Sequence, residues 1–156
     1  FGLVVFIFGV YFLVGHLITK GLIIPPLSST TVNQRTAASE KIDWLSSEEE
    51  GIRKARDIGA VAMIDFWAEW CSACLELEKT TWTDTEVIKA TKKQVNIKID
   101  CTNTNDPKIK QLWAKYGIVG LPTIVFIDKN GVVIKDKTIT GFVDAVGFLQ
   151  RLKGLE

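Results

Sequence analysis

The chain has 156 residues, of which 47% are hydrophobic and 24% are charged, so it can form one packed domain of ordinary size with a further segment attached. Its formal net charge of +1, with acidic and basic residues interspersed, gives no reason to expect a nucleic-acid partner. Three cysteines are too few for a small protein stapled by disulfides, and their odd number leaves Cys101 without an obvious partner.

The first predicted element is a transmembrane helix over residues 1–24. Residues 1–19 contain no Asp, Glu, Lys or Arg, and about 20 residues of helix, at about 1.5 Å each, cross a bilayer core. Pro25 and Pro26 are expected to end the helix. A signal-peptide core is usually shorter and follows basic residues, and a buried core helix is rarely apolar on all sides. A single helix of a larger membrane domain is a third alternative, and the start at Phe1 rather than Met fits a fragment or a processed product.

Residues 25–41 form the predicted linker, because Ser, Thr, Ala and Asn are frequent there and no clear hydrophobic period is visible. The predicted globular domain covers residues 42–156. Its first helix is expected to begin after Ser46 or Ser47, whose hydroxyl can cap it, and to end at Gly59. Three glutamates follow the serines, and their charges suit the first turn of a helix.

A buried strand is predicted at residues 61–67, and Cys71 and Cys74 follow it closely. Residues 75–79, directly after the second cysteine, predict a helix. Two cysteines separated by two residues at the start of a helix can close a small disulfide ring. A strand that leads into such a pair indicates a redox-active dithiol.

The remaining sequence predicts helices and strands in alternation. The predicted elements are a helix at 85–93, a strand at 95–99, a helix at 107–116, strands at 124–127 and 132–139 joined by a turn at 128–131, and a C-terminal helix marked by Phe142, Val146, Leu149 and Leu152. The predicted fold class is therefore α/β, with a central mixed sheet flanked by helices and a transmembrane helix in front of the domain.

The two cysteines are expected to have different roles. A thiol at a helix N-terminus faces unpaired backbone N–H groups and the positive end of the helix dipole, and both favour the thiolate. Cys71 is therefore the predicted nucleophile, and Cys74, one turn further into the helix, is the predicted resolving thiol. A structural disulfide and half of a zinc site are the alternatives. Zinc would need a second pair of ligands, which Cys101 and a single histidine do not supply.

These residues resemble the motifs of the thioredoxin superfamily. The matching stretches are residues 65–74, from the strand aspartate to the second cysteine, and residues 120–123, Gly-Leu-Pro-Thr. The resemblance implies a thioredoxin-like fold in which a cis peptide bond precedes Pro122 and this proline lies beside the disulfide. Leu121 and Pro122 would then pair with an extended segment of a partner protein, and Trp70 would offer it an apolar surface.

Within the superfamily, residues 42–153 are similar to the C-terminal periplasmic domain of the DsbD family of membrane thiol reductases. The shared features are the Cys-x-Ala-Cys motif, residues 76–84 after it, and residues 102–106 after the third strand. In that family a short linker joins this domain to the last transmembrane helix, as the predicted helix and linker do here. Leu75 departs from the family, which often has a lysine there, and Cys101 is at no family motif position.

Two carboxylates are candidate members of the site. Asp65 interrupts an apolar strand, and Glu78 follows Cys71 and Cys74 by seven and four residues, so it shares a helical face with both. The resemblance implies that this pair lies near the disulfide. Our hypothesis is that the pair raises the pKa of Cys71 by like-charge repulsion and accepts the proton of Cys74. The alternatives are a hydrogen-bonded buried group for Asp65 and an exposed helix residue for Glu78.

The other chemically distinctive side chains have simpler expected roles. Trp67 is expected to shield the site or to pack in the core, whereas Trp82 and Trp113 are expected to be core residues. Cys101 is expected to be a small buried residue at the end of a strand.

The resemblance implies a membrane-tethered thiol–disulfide reductase in the bacterial inner membrane, with its thioredoxin-like domain in the periplasm. It would take electrons from a cysteine pair in a transmembrane domain and pass them to a periplasmic thioredoxin-like or immunoglobulin-like domain. No metal or organic cofactor is expected, because the electrons travel as a dithiol. The alternatives are a single-span thioredoxin-like reductase for cytochrome c maturation and a non-catalytic binding module whose disulfide is structural.

Overall fold

The structure, a computed structural model, describes residues 40–155. The predicted transmembrane helix at residues 1–24 and most of the predicted linker, residues 25–39, lie outside the described residues. Within residues 40–155, no helix has both the length and the apolar character needed to cross a membrane.

The described residues form a central sheet with α-helices packed on its faces. The strands are β1 (Trp44–Leu45), β2 (Ala62–Trp67), β3 (Val95–Asp100), β4 (Thr123–Ile127) and β5 (Ile139–Thr140). The helices are α1 (Glu48–Ile58), α2 (Ser72–Lys79), α3 (Thr85–Thr91), α4 (Pro107–Tyr116) and α5 (Ala145–Leu152). The sheet order is β1-β3-β2-β4-β5, in which β2 runs parallel to β3 and antiparallel to β4. The predicted mixed sheet flanked by helices is confirmed.

Local sequence signals set the helix boundaries. The side chain of Ser47 accepts a hydrogen bond from the first turn of α1, and Asp84 does the same for α3. Gly59 and Gly117 end α1 and α4 with φ angles of 67° and 64°, a left-handed conformation that glycine adopts without a Cβ penalty. The predicted serine cap and the predicted glycine stop of α1 are both observed.

Side chains alternate along β2 and so enter two different cores. Ile64 and Phe66 pack on the face covered by α1 and α4. Met63 packs on the opposite face, where α2, α3 and α5 supply apolar side chains. Asp65 shares the face of Met63, and this alternation directs a carboxylate into a largely apolar layer next to α2.

The predicted strand at residues 132–139 is wrong. Val133 forms an isolated bridge with Ile127, Lys135–Lys137 form a 3-10 turn, and β5 contains only Ile139–Thr140. The lysine-rich segment between them has no apolar alternation with which to cover the core, so the ladder breaks there.

Two other boundaries also differ from the prediction. The C-terminal helix begins at Ala145 rather than near Phe142, because the Asp144 side chain accepts a hydrogen bond from Gly147 N–H and caps the helix. Strand β1 was not predicted, since two residues are too few to show an alternating pattern.

Gly51 allows α1 to pack closely on the sheet, and we expect Gly51→Ala to destabilise the fold. A Cβ at this position would lie 2.3 Å from both Cδ1 and Cγ1 of Ile97. Overpacking lowers the free energy of unfolding by about 1–3 kcal/mol. The better helix propensity of alanine offsets at most about 1 kcal/mol of this loss. Urea denaturation should show the lower free energy of unfolding. Gly120→Ala is the control, because no other heavy atom of the described residues lies within 4 Å of a Cβ there. Unchanged stability of Gly51→Ala would contradict this packing.

Candidate active site

Cys71 and Cys74 lie where the chain turns from the end of β2 into α2, and they form a disulfide. Cys71 is the N-cap residue of α2, and its Sγ accepts a hydrogen bond from Cys74 N–H at 3.1 Å. Cys71 is 7% exposed and Cys74 is 1% exposed. The order of exposure agrees with an attacking Cys71 and a resolving Cys74.

The helix start explains how Cys71 can act as a nucleophile. Its sulfur already receives one backbone N–H at the positive end of the helix dipole, and both interactions stabilise a negative charge when the disulfide opens. The same backbone group would stabilise Cys71 as the leaving thiolate when a second partner thiolate attacks the partner sulfur of a mixed disulfide on Cys71. The site can therefore exchange thiols in both directions.

The loop before β4 lies against the disulfide. Leu121 is half-buried and packs on the small cluster of Ala68, Cys71 and Cys74. The bond between Leu121 and Pro122 is cis, as the resemblance implies, and Pro122 is buried. The structure therefore brings Leu121 beside the cysteines.

Trp70 is the large aromatic side chain exposed next to the disulfide, with an exposed fraction of 59%. Its Nε1–H donates to the carbonyl oxygen of Thr102 at 3.1 Å, and Glu69 N–H donates to Thr102 Oγ1 at 3.0 Å. Thr102 thus fixes the loop that precedes Cys71, and one face of Trp70 stays open to a partner. The sequence reasoning did not identify Thr102 as the residue that fixes this loop.

Asp65 is 1% exposed, and its carboxylate is only partly satisfied. Its Oδ2 accepts a hydrogen bond from Trp82 Nε1–H at 3.2 Å, whereas no hydrogen-bond partner among residues 40–155 reaches its Oδ1. Burial raises the pKa of Asp65 to about 7; the charge of Lys98 opposes the rise and the charge of Glu78 adds to it. Asp65 can therefore gain or lose a proton near neutral pH.

Lys98 is a charged residue of this site that the sequence reasoning missed. It forms an ion pair with Glu78 Oε1, and its Nζ lies 4.0 Å from Asp65 Oδ2. In the parallel pair of β2 and β3, Asp65 and Lys98 are directly opposite each other. The sequence signal was a lysine inside the predicted strand at 95–99, but its position on the face of Asp65 follows only from the pairing of β2 with β3.

Two tryptophans flank the ammonium group of Lys98. Its Nζ lies 5.0 Å from the ring centroids of both Trp44 and Trp67, within the range of cation–π contacts. Trp67 is half-buried and contacts both the disulfide cluster and this lysine. Trp82 is a core residue as expected, but its indole also bonds to Asp65, which was not expected.

Cys101 is fully buried in the core on the other face of the sheet. Its Sγ accepts a hydrogen bond from Trp113 Nε1–H at 3.3 Å, and burial raises the pKa of its thiol. Burial disfavours a reactive thiolate and outweighs the Trp113 hydrogen bond, which acts in the opposite direction, so Cys101 fits the expected role of a small packing residue.

The sequence matches the Thioredoxin-like domain family over residues 49–156. The chain is 34% identical over 134 residues to the thiol:disulfide interchange protein DsbD of Colwellia psychrerythraea. The aligned segment covers 86% of this chain and 22% of that protein. The DsbD of Photorhabdus laumondii is 35% identical over 127 residues, or 81% of this chain and 22% of that protein. The chain thus spans about a fifth of the length of these relatives.

The fold is also similar to that of a solved structure. The oxidised C-terminal domain of Neisseria meningitidis DsbD superposes with a TM-score of 0.60 at 24% sequence identity. The match covers 72% of this chain and 99% of that domain, so it extends over almost the whole of the neighbouring fold.

Proposed function

We propose that this chain, which belongs to the thioredoxin-like domain family, is a membrane-tethered extracytoplasmic thiol–disulfide reductase. One observation carries the proposal: Cys71 and Cys74 form a disulfide at the N-terminus of α2, with Cys71 as the helix cap. This is the arrangement in which a dithiol exchanges readily with protein disulfides.

The proposed reaction moves two electrons from the dithiol to a partner disulfide. The Cys71 thiolate attacks one partner sulfur, a mixed disulfide forms, and the other partner sulfur leaves as a thiolate and takes up a proton. Cys74 then loses its proton and attacks Cys71 Sγ. The bond between Cys71 and Cys74 forms, the mixed disulfide breaks, and the second partner thiol is released. The partner is reduced and the dithiol is oxidised.

Asp65 and Glu78 are proposed to assist the second step, in which Cys74 attacks Cys71, by accepting the proton of Cys74. Glu78 lies one turn after Cys74 on α2, and Asp65 lies on the sheet face against which α2 packs. With a pKa of about 7, Asp65 is the stronger candidate for accepting the proton of the resolving thiol. Their combined negative charge disfavours a very stable thiolate at Cys71, which suits a reductant better than an oxidant.

The substrate segment is proposed to bind at Trp70, Leu121 and Pro122. Trp70 offers an exposed aromatic face beside the disulfide, and Leu121 contacts the cysteine cluster. An extended peptide placed here would meet both the disulfide and the backbone before β4, so its own disulfide would be within reach of Cys71.

The cellular role is proposed from the resemblance to DsbD proteins and from the apolar N-terminal sequence. Residues 1–24 would span the bacterial inner membrane, and the domain would lie in the periplasm. A cysteine pair in a transmembrane donor domain would reduce the disulfide, and a periplasmic thioredoxin-like or immunoglobulin-like domain would accept the electrons. The dithiol itself carries the electrons, so the mechanism requires no metal or organic cofactor.

We expect the full chain to reduce insulin with dithiothreitol as electron donor, at a rate well above that of dithiothreitol alone. We also expect a reduction potential closer to that of thioredoxin, about −270 mV, than to that of strong disulfide oxidants, about −120 mV. Redox equilibration with glutathione measures the potential. A potential near the oxidant value would contradict a reductase, and absence of insulin reduction would indicate a binding module instead.

A further inference from the structure

Two grooves lie at the end of the sheet opposite to the disulfide. β2 runs from Ala62 towards the disulfide, whereas Val61, before its start, and Asp128, after the end of antiparallel β4, line a groove of about 740 Å³. A smaller groove of about 320 Å³ shares Gln94 with it. Four lysines line the larger groove, namely Lys93, Lys129, Lys137 and Lys153. Three line the smaller one, namely Lys41, Lys54 and Lys92. We call this lysine-lined end of the domain the lysine pole.

Positive charge is concentrated at the lysine pole. Three aspartates line the same two grooves, and Glu40 pairs with Lys92 at 2.9 Å. Seven lysines thus face four carboxylates, an excess of three positive charges, although the whole chain carries a net charge of only +1. Such an excess on one face attracts a negatively charged surface.

Accessible apolar side chains lie among these lysines. Ile58, at the end of α1, is 62% exposed and lines the smaller groove. Leu152 and Leu155 are half-buried and line the larger one. Lysines combined with accessible apolar groups are typical of protein surfaces that bind anionic lipids. The ammonium groups meet the lipid phosphates there, while the lysine stems and the apolar side chains contact the headgroup region.

The chain enters the domain at the lysine pole. Glu40, the first described residue, pairs with Lys92, and residues 41–43 line the smaller groove. In the sequence, fifteen residues, 25–39, separate this point from the apolar residues 1–24, and fifteen residues extend over at most about 50 Å. A membrane span in residues 1–24 would therefore tether the domain by its lysine pole and not by its disulfide end.

We propose that the lysine pole docks on the headgroups of anionic phospholipids in the membrane that holds the chain. The proposal rests on the membrane tether of the proposed function, and the excess of lysines favours anionic over zwitterionic headgroups. In the docked domain the disulfide faces away from the bilayer, towards soluble partner proteins. Exchange with a donor inside the membrane then requires release of the lysine pole, so lipid charge affects which partner the disulfide meets.

Hydrogen exchange of the full chain in lipid nanodiscs tests this contact. One set of nanodiscs contains phosphatidylcholine alone, and the other contains phosphatidylcholine and phosphatidylglycerol in equal parts. Residues 68–75, beside the disulfide, should exchange equally in both sets. Salt at about 0.5 M should remove any difference, because it shortens the Debye length to about 4 Å. Slower exchange in the anionic nanodiscs is expected at the lysine pole, in residues 92–94, 128–137 and 149–155.

Variants of two exposed lysines test the role of charge. Lys129→Gln together with Lys153→Gln should lower the protection in anionic nanodiscs by up to about 30-fold, because each lysine near an anionic surface contributes about five-fold to docking. Arginine at both positions should retain the protection. The matched control is Lys108→Gln together with Lys110→Gln, which removes two exposed lysines from α4 and should behave as wild type.

Several results would overturn the lipid contact. Equal exchange of the lysine pole in both sets of nanodiscs is one, and equal protection in the pole variant and the α4 control is another. Protection of residues 68–75 instead would place the disulfide end on the bilayer. Protection that depends on the concentration of the chain rather than on lipid charge would indicate a second copy as the occupant.

Other results concern the proposed function and not the docking surface. A chain that does not insert into nanodiscs would contradict the membrane tether. Sedimentation with phosphatidylglycerol vesicles but not with phosphatidylcholine vesicles would then still support the lysine pole as a lipid-binding surface, and equal sedimentation with both would overturn it. Insulin reduction, measured in parallel, should be the same in the lysine variants and in wild type, and its absence in wild type would refute the reductase alone.

Discussion

Cys71→Ser is expected to abolish protein-disulfide reduction by the full chain, whereas Cys74→Ala is expected to leave a stable mixed disulfide between Cys71 and its partner. Only Cys71 caps α2 and receives a backbone hydrogen bond at the positive end of the helix, so only this thiol is prepared for attack. Cys74, at 1% exposed, reaches a partner only through Cys71. Insulin turnover measures the loss, and non-reducing electrophoresis followed by mass spectrometry identifies the trapped partner.

Cys101→Ser is the matched control for both variants. Its thiol lies in the core on the opposite face of the sheet and bonds to Trp113, so its removal should leave insulin reduction at the wild-type rate. A mixed disulfide on Cys74 in the Cys71→Ser variant would reverse the assigned roles. Loss of activity in a folded Cys101→Ser variant would mean that the third thiol takes part in exchange.

The trapped partner also tests the proposed position in an electron relay. A membrane protein linked to Cys71 would indicate the donor, and a periplasmic thioredoxin-like or immunoglobulin-like domain would indicate the acceptor. Both would have to approach the same surface, formed by Trp70, Leu121 and the disulfide, because Cys71, the more accessible of the two cysteines, would serve both exchanges. The two partners are therefore expected to compete for the site.

Much of this site could be predicted because its signals are local. The spacing of Cys71 and Cys74 places both on one helix turn, and Asp65 is conspicuous as a carboxylate inside an apolar strand. Capping residues and glycines likewise mark helix ends within a few residues of sequence. These features need no knowledge of which strands are neighbours.

Lys98 was missed because its role depends on strand pairing. It lies 33 residues after Asp65 in the sequence, and only the register of β2 with β3 makes the two residues neighbours. The failed strand at 132–139 has a similar origin, since the sequence shows a turn but not where the ladder with β4 stops. Features set by local signals were therefore predicted, whereas features that depend on the pairing of strands distant in sequence were not.

The burial of Asp65 has a cost in stability that depends on pH, and this gives a second large expected effect. The ordinary pKa of the carboxyl is 3.8, which applies to the unfolded chain, and in the folded protein it is about 7. The folded state therefore holds a proton that the unfolded state has lost between these values. The stabilising contribution is fully present below about pH 4 and disappears as the pH rises through about 7, a loss of about 4 kcal/mol.

Asp65→Asn is expected to remove this pH dependence, because an amide can accept the Trp82 hydrogen bond without titrating. In urea denaturation of the disulfide form, the free energy of unfolding of the variant relative to wild type should increase by about 4 kcal/mol between about pH 4 and about pH 8. Asp57→Asn, an exposed change on α1, is the control and should show no such increase. A constant difference between Asp65→Asn and wild type across this range would mean that Asp65 remains ionised throughout and cannot exchange a proton with Cys74 near neutral pH.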